Sequence, residues 1–108
     1  MVSSNSSTSG GNNAIMKLVR GSTDVFVGDD DGASREEATA QTRVNDTNAA
    51  LTLTFNFLDS PSTTSATTYK LQYKVQAGTG TINMTQADSN SATLARTASS
   101  IILVEVRG

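Results

Sequence analysis

The chain contains no cysteine, no histidine and no tryptophan, and only one proline. The lack of cysteine excludes disulfide bridges, thiolate nucleophiles and zinc sites built on thiolates. The lack of histidine removes the side chain that most often serves as a general base or a metal ligand near neutral pH. We therefore predict that the chain is not an enzyme and that it holds no cofactor.

Strong positive charge and long apolar runs are also missing. The formal net charge is −2 and the isoelectric point is about 4.8, which does not suit a protein that follows the phosphate backbone of a nucleic acid. No apolar run is long enough to cross a bilayer as a helix. The first residues, MVSSNSSTSGG, lack the charged and apolar regions of a signal peptide. We expect neither nucleic acid nor a membrane among the partners.

Serine and threonine together make up about a quarter of the 108 residues. Threonine favours strands and serine favours turns, so this bias fits a β domain with long connections. Hydrophobic residues make up only 36% of the chain, which indicates that part of the stability comes from association with other subunits. We expect residues 1–13 to form a flexible lead-in or an edge strand, and residues 14–108 to form one β-sandwich domain.

Two segments, ALTLTFNFL and YKLQYKV, alternate between apolar and polar residues as half-buried strands do. AIMKLVR and TDVFV flank Gly21-Ser22 and indicate a β-hairpin. Residues 34–41 contain a helix-capping pattern but no apolar stripe, so we expect an exposed loop or a polar edge strand there. Together with a short strand in TINMTQ, these patterns predict an all-β fold, an antiparallel, jelly-roll-like β-sandwich of about seven strands.

The chain ends on a predicted strand, Ser99–Arg107, that is apolar on both faces apart from Glu105. A strand that is apolar on both faces is normally buried on both faces, so we expect the second face to meet another subunit. The alternative is a central strand covered by the loops of its own chain. The residues expected to form the core and the subunit contacts are Leu51, Leu53, Phe55, Phe57, Tyr69, Leu71, Tyr73, Val75, Ile101, Ile102, Leu103, Val104 and Val106.

The candidates for binding chemistry are weak. Asp29, Asp30 and Asp31 suggest calcium because this cation prefers several carboxylate oxygens. Adjacent acidic residues point in different directions on an extended chain, however, and the spacing of an EF-hand is absent, which favours a solvated acidic turn. Tyr69 and Tyr73 could stack on sugars, but their alternation with lysine and glutamine favours a role in the core.

Several segments, in this order and spacing, resemble C-terminal domains of bacteriophage structural proteins, especially fibre-like and appendage proteins of marine tailed phages. The segments are LVRGSTDVFVGDDDGASR, FNFLDSPSTTSATTYKLQYKV, GTINMTQADSN and ARTASSIILVEV. The resemblance covers roughly Ala14 to Val106. It implies a jelly-roll-like sandwich that forms a homo-oligomer, with a trimer expected, on the surface or tail of a virion.

These observations favour a structural virion protein: a fibre, an appendage or a capsid-decorating component. Such a protein would assemble through its apolar strands and present its polar loops outward. Its partners would be other copies of itself, other virion proteins and, in one version, a glycan or receptor on the host surface. The alternative is a carbohydrate- or receptor-binding module without catalytic activity.

Overall fold

The computed structural model describes residues 1–8 and 11–106, with only the backbone of residues 2–8. The predicted all-β, antiparallel class is confirmed, and the described residues contain no α-helix. None of these residues belongs to a helix that could cross a membrane. The eight strands are β1 (Val2–Thr8), β2 (Asn13–Arg20), β3 (Thr23–Val25), β4 (Ala40–Arg43), β5 (Leu51–Phe55), β6 (Tyr69–Val75), β7 (Gly80–Ile82) and β8 (Ser100–Ile101).

The first sheet is built around β1. This strand pairs with β5 over residues 2–6, and it also pairs with β7 and β8. Because β5 occupies one edge of residues 2–6, β8, which pairs with Val2 and Ser3, must lie on the opposite edge. The expectation of a flexible lead-in or an edge strand for this segment is therefore wrong. Its serines and asparagine do not alternate with apolar residues. The segment therefore forms a strand through backbone hydrogen bonds to distant segments.

The second sheet is built around β2. On one edge, β6 pairs with Ala14–Arg20, and on the other edge β3 and β4 pair with successive parts of the strand. The predicted hairpin is confirmed as β2 and β3, joined by the two-residue turn Gly21-Ser22. Gly21 has a φ of 59°, a left-handed conformation that glycine adopts without strain and that suits a hairpin turn. Of the two alternatives expected for residues 34–41, a loop is observed over residues 34–39, and the edge strand β4 begins only at Ala40.

The buried core lies mainly on β2. Leu18 and Val25 form its central cluster, and Phe55 of the first sheet and Leu71 of the second pack against them. Phe55 therefore connects the two sheets through an apolar contact. The fully or nearly buried hydrophobic residues are Ala14, Met16, Leu18, Val19, Val25 and Val44. The predicted core residues on β5 and β6 are at most half-buried, because each of these strands pairs with only one neighbour. The jelly-roll arrangement stays a prediction.

Two strands are shorter than predicted because a residue with a positive φ stops them. Phe26 (φ 53°) follows β3, and Asn83 (φ 64°) follows β7. This left-handed conformation takes the backbone out of the extended region that a sheet requires. Asparagine tolerates it well, whereas it is unusual for a bulky aromatic residue.

The final strand is also much shorter than the predicted Ser99–Arg107. Only Ser100 and Ile101 are in β8, and residues 102–106 are exposed. Arg107 lies outside the described residues. The ladder between β1 and this segment ends with the pair Met1 and Ile102, which exchange two backbone hydrogen bonds of 2.9 Å. The alternative of a strand covered by the loops of its own chain is therefore wrong for the described residues, and the expected contact with another subunit stays a prediction.

Gly80 allows β7 to begin close beside β6. A β-carbon on Gly80 would lie 2.6 Å from Oη of Tyr73 and closer still to Cγ1 of Val75. We expect Gly80→Ala to lower the free energy of unfolding by about 1–3 kcal/mol, because the added methyl group overpacks this contact. Urea unfolding at one fixed chain concentration measures the change.

Gly28→Ala is the matched control for this substitution. Its β-carbon would meet nothing nearer than the carbonyl oxygen of Ala38 at 3.9 Å. We expect its unfolding free energy to stay within about 0.5 kcal/mol of the unsubstituted chain. Equal losses in both variants would show that the close approach at Gly80 does not constrain the fold.

Candidate functional site

An exposed apolar segment at the end of the first sheet is the most unusual surface of the described chain. We call Ile101–Val106 the C-terminal segment. The side chains of Leu103, Val104 and Val106 are 62%, 78% and 78% exposed. Glu105 is its only charged residue. Contiguous exposed aliphatic side chains are a common feature of surfaces that bind other molecules.

A group of three phenylalanines, the phenylalanine cluster, lies at the same end of the first sheet. Phe26 stacks on Phe57 with ring centroids 4.8 Å apart, and it contacts Phe55 at a tilted angle with centroids 5.7 Å apart. Phe26 and Phe57 remain 41% and 39% exposed. The left-handed conformation of Phe26 costs about 1–3 kcal/mol, which these ring contacts partly offset at about 0.5–1.5 kcal/mol each.

Phe26 and Leu58 are exposed apolar residues that were not predicted from the sequence. The sequence does indicate both residues, because each is an apolar residue at a position where the alternating pattern expects a polar one. Phe26 lies between Val25 and Val27, and Leu58 follows Phe57 directly. The same signal, apolar residues at consecutive positions, identified the C-terminal segment.

A polar anchor of Arg20, Asp59 and Tyr69 holds the chain that follows Phe57 and Leu58. Nη1 of Arg20 donates hydrogen bonds of 2.8 Å to both carboxylate oxygens of Asp59. The hydroxyl of Tyr69 donates a third bond, of 2.7 Å, to Oδ2. Because Arg20 and Tyr69 are cross-strand neighbours in the second sheet, the anchor ties the loop after β5 to that sheet.

These contacts shift two pKa values in opposite directions. The hydrogen bond from Tyr69, helped by Arg20, lowers the pKa of Asp59 against the opposing effect of burial. The same bond, together with burial, raises the pKa of Tyr69. The two side chains at the ion pair are 26% exposed for Arg20 and 17% for Asp59. The anchor is therefore more protected from solvent than the other ion pairs of the described chain.

The weak calcium candidates are not brought together as a metal site. Oδ1 of Asp30 accepts a hydrogen bond from the Gly32 amide, and Oδ1 of Asp31 accepts one from the Ala33 amide. Oδ2 of Asp31 also pairs with Arg35 at 3.3 Å. Within residues 1–8 and 11–106, no three acidic side chains are grouped so that they could hold a metal ion.

The two tyrosines are half-buried and do not form an open platform for sugars. Tyr69 belongs to the polar anchor, and Tyr73 packs beside Gly80. A polar cleft of about 630 Å³ lies instead beside Lys74 and Glu36, whose side chains are joined by hydrogen bonds of 2.9 and 3.0 Å. The carbohydrate-binding alternative stays a prediction. The residues lining this cleft are Asn13, Ile15, Ser34, Arg35, Glu36, Gln41, Lys74 and Gln76.

Comparison of the chain with protein-family models, with curated proteins and with solved structures found no match. The resemblance to phage structural domains therefore stays a prediction.

The polar anchor should make stability depend on pH. The folded pKa of Asp59 is below its ordinary value, so its contribution is complete above that ordinary value and is lost as pH falls through the folded pKa. We expect Asp59→Asn to lower the free energy of unfolding by about 1–2 kcal/mol at pH 7. The difference from the unsubstituted chain should persist at pH 5 and shrink below about pH 4, as measured by urea unfolding.

Asp88→Asn controls for the loss of a surface ion pair. Asp88 pairs with Arg96 at 2.9 Å, but their side chains are 49% and 76% exposed. We expect a loss of no more than about 0.5 kcal/mol for this variant. An Asp59→Asn effect as small as this, or one that did not change down to pH 3, would contradict the role given to the anchor.

Proposed function

We propose that this chain is a non-catalytic structural subunit that self-associates through its C-terminal segment. The observation that carries this proposal is the exposure of Leu103, Val104 and Val106 at the point where a β-ladder ends. Exposed strand backbone leaves amide and carbonyl groups able to pair with another strand. The segment therefore offers both apolar side chains and a backbone suited to β-pairing.

The energies involved support self-association. Burial of a valine, leucine or isoleucine side chain contributes about 1.5–3 kcal/mol. The C-terminal segment contains five such side chains per copy, all of them at least partly exposed. Their combined burial is of the same order as the roughly 4–15 kcal/mol that association costs in lost freedom of motion. Glu105 is the only charge that such an interface would have to accommodate.

The polar character of the rest of the surface fits the same role. Long loops rich in serine, threonine and aspartate surround the sheets and would remain in contact with solvent after assembly. The resemblance described above makes a virion the setting in which we place this subunit, at its surface or tail and in contact with other virion proteins. The phenylalanine cluster adds a second apolar contact surface at the same end of the molecule.

Light scattering behind a sizing column tests the proposal. We expect the unsubstituted chain to have a molar mass above the 11.2 kDa of one chain. Val104→Lys should weaken association roughly tenfold or more, since it removes about 1.5–3 kcal/mol of apolar burial and introduces a charge. Both proteins should give the same circular dichroism spectrum when dilute, because Val104 is exposed in the isolated chain.

Ala92→Lys is the control for added charge. Ala92 is exposed in a turn that is not part of the C-terminal segment, so this variant should associate as the unsubstituted chain does. A well-folded monomer at every concentration tested would refute the proposal. Equal weakening by both substitutions would show that net charge, and not the segment, controls association.

A further inference from the structure

The floor of the polar cleft crosses three strands of the second sheet. Ile15 of β2 pairs with Gln41 of β4 on one side and with Lys74 of β6 on the other. These residues alternate with the buried Ala14 and Met16, so they lie on the face of the sheet that is turned away from the core. Gln41 and Lys74 are two strand spacings apart, about 9.6 Å, with Ile15 between them. This distance is close to the width of one pyranose ring with its hydroxyl groups.

A second row of polar side chains continues the floor at one end. The backbone amide of Gln76 donates a 2.9 Å bond to the carbonyl oxygen of Asn13, and Oε1 of Gln76 accepts a bond of 3.4 Å from the Asn13 amide. The second contact uses only the oxygen of the Gln76 carboxamide, whose NH2 group can still donate hydrogen bonds. Asn13, Gln41 and Gln76 together give the cleft three carboxamides, a group that both donates and accepts hydrogen bonds.

The wall of the cleft is the short segment of Ser34, Arg35 and Glu36. Nζ of Lys74 donates hydrogen bonds of 2.9 and 3.0 Å to the two carboxylate oxygens of Glu36, and these bonds tie the wall to β6. The same contact lowers the pKa of Glu36. The carboxylate is therefore ionised at neutral pH, and its oxygens can accept further hydrogen bonds.

The charges that line the cleft are balanced. Lys74 is paired with Glu36 at 2.9 Å, and Arg35 is paired with Asp31 at 3.3 Å. An anionic ligand would have to displace a carboxylate from one of these cations, and it would approach a chain whose net charge is −2. The cleft therefore favours a neutral ligand rich in hydroxyl groups, since a hydroxyl both donates and accepts hydrogen bonds.

We propose that this cleft binds one neutral hexose unit, with the sugar hydroxyls on the three carboxamides and Glu36 and one face of the ring on Ile15. The cleft volume of about 630 Å³ is within the range of small-molecule sites. None of the eight described residues that line the cleft is aromatic. We therefore expect weak binding, with a Kd of about 1–10 mM for a single hexose.

This site differs from the tyrosine platform considered from the sequence. Tyr73 pairs with the buried Met16 and Tyr69 pairs with Arg20, so both tyrosines lie on the core-facing side of β6 and not on the side of the cleft. The site is also separate from the proposed self-association, because no residue of the C-terminal segment lines the cleft.

Nuclear magnetic resonance of the isotopically labelled full chain tests the site. The probes are D-glucose, D-galactose and D-mannose, each added separately to tens of millimolar. We expect at least one of these hexoses to shift the amide resonances of Ile15, Gln41 and Lys74 until the shift saturates. Inorganic sulfate at the same concentrations is the anionic probe, and it should produce no saturating shift at these residues.

Gln41→Ala removes one carboxamide from the floor of the cleft. Loss of one hydrogen-bonding group should weaken hexose binding about fivefold. Gln72→Ala is the matched control, because Gln72 is exposed on the same face of the sheet but does not line the cleft. This variant should bind the hexose as the unsubstituted chain does. Both glutamines are exposed, so both variants should keep the circular dichroism spectrum of the unsubstituted chain.

Three results would overturn the hexose site. The first is the absence of a saturating shift at the cleft with all three hexoses. The second is equal weakening of hexose binding by the two substitutions. The third is a saturating shift with sulfate, which would identify an anion site instead. Each of these results would leave the proposed self-association intact, because the molar mass in solution tests that proposal separately.

Discussion

Strand β1 is paired along both of its edges, and this pairing determines how distant parts of the chain come together. β1 brings β5 to one edge and β7 and β8 to the other, so residues about fifty and a hundred positions away in the sequence become neighbours. Phe55 on β5 then contacts the Leu18 and Val25 cluster and connects the two sheets. The final ladder includes the pair of Met1 and Ile102.

The two sheets are held together by a small apolar core and by one group of polar side chains. The core is small and concentrated on β2, so each sheet leaves much of its apolar surface half-buried. The anchor of Arg20, Asp59 and Tyr69 ties the loop after β5 to the second sheet. Phe57 and Leu58 directly precede Asp59, and the anchor therefore positions these two exposed apolar residues. A folding interaction and the proposed assembly surface are linked through this single loop.

The parts of the fold that sequence could predict are those with a local pattern. The alternation of β5 and β6 and the turn at Gly21 are visible in a few adjacent residues. Strand β1 has no such local pattern, because its polar residues form a strand only through backbone hydrogen bonds to distant segments. The contact of Arg20 with Asp59 joins positions 39 residues apart, and no local pattern indicates it. The C-terminal segment was predicted as a buried strand from its composition, whereas no part of the described chain covers it.

The proposed self-association places residues 103–106 of the C-terminal segment in contact with a second copy of the chain. Amide hydrogen exchange of these residues at high and low chain concentration tests it most directly, because a paired amide is protected from exchange. We expect strong protection of the segment in concentrated solution and its loss on dilution, while the amides of β2 remain protected in both. Exchange from residues 103–106 that is rapid at every concentration, or protection that does not change on dilution to a monomer, would contradict it.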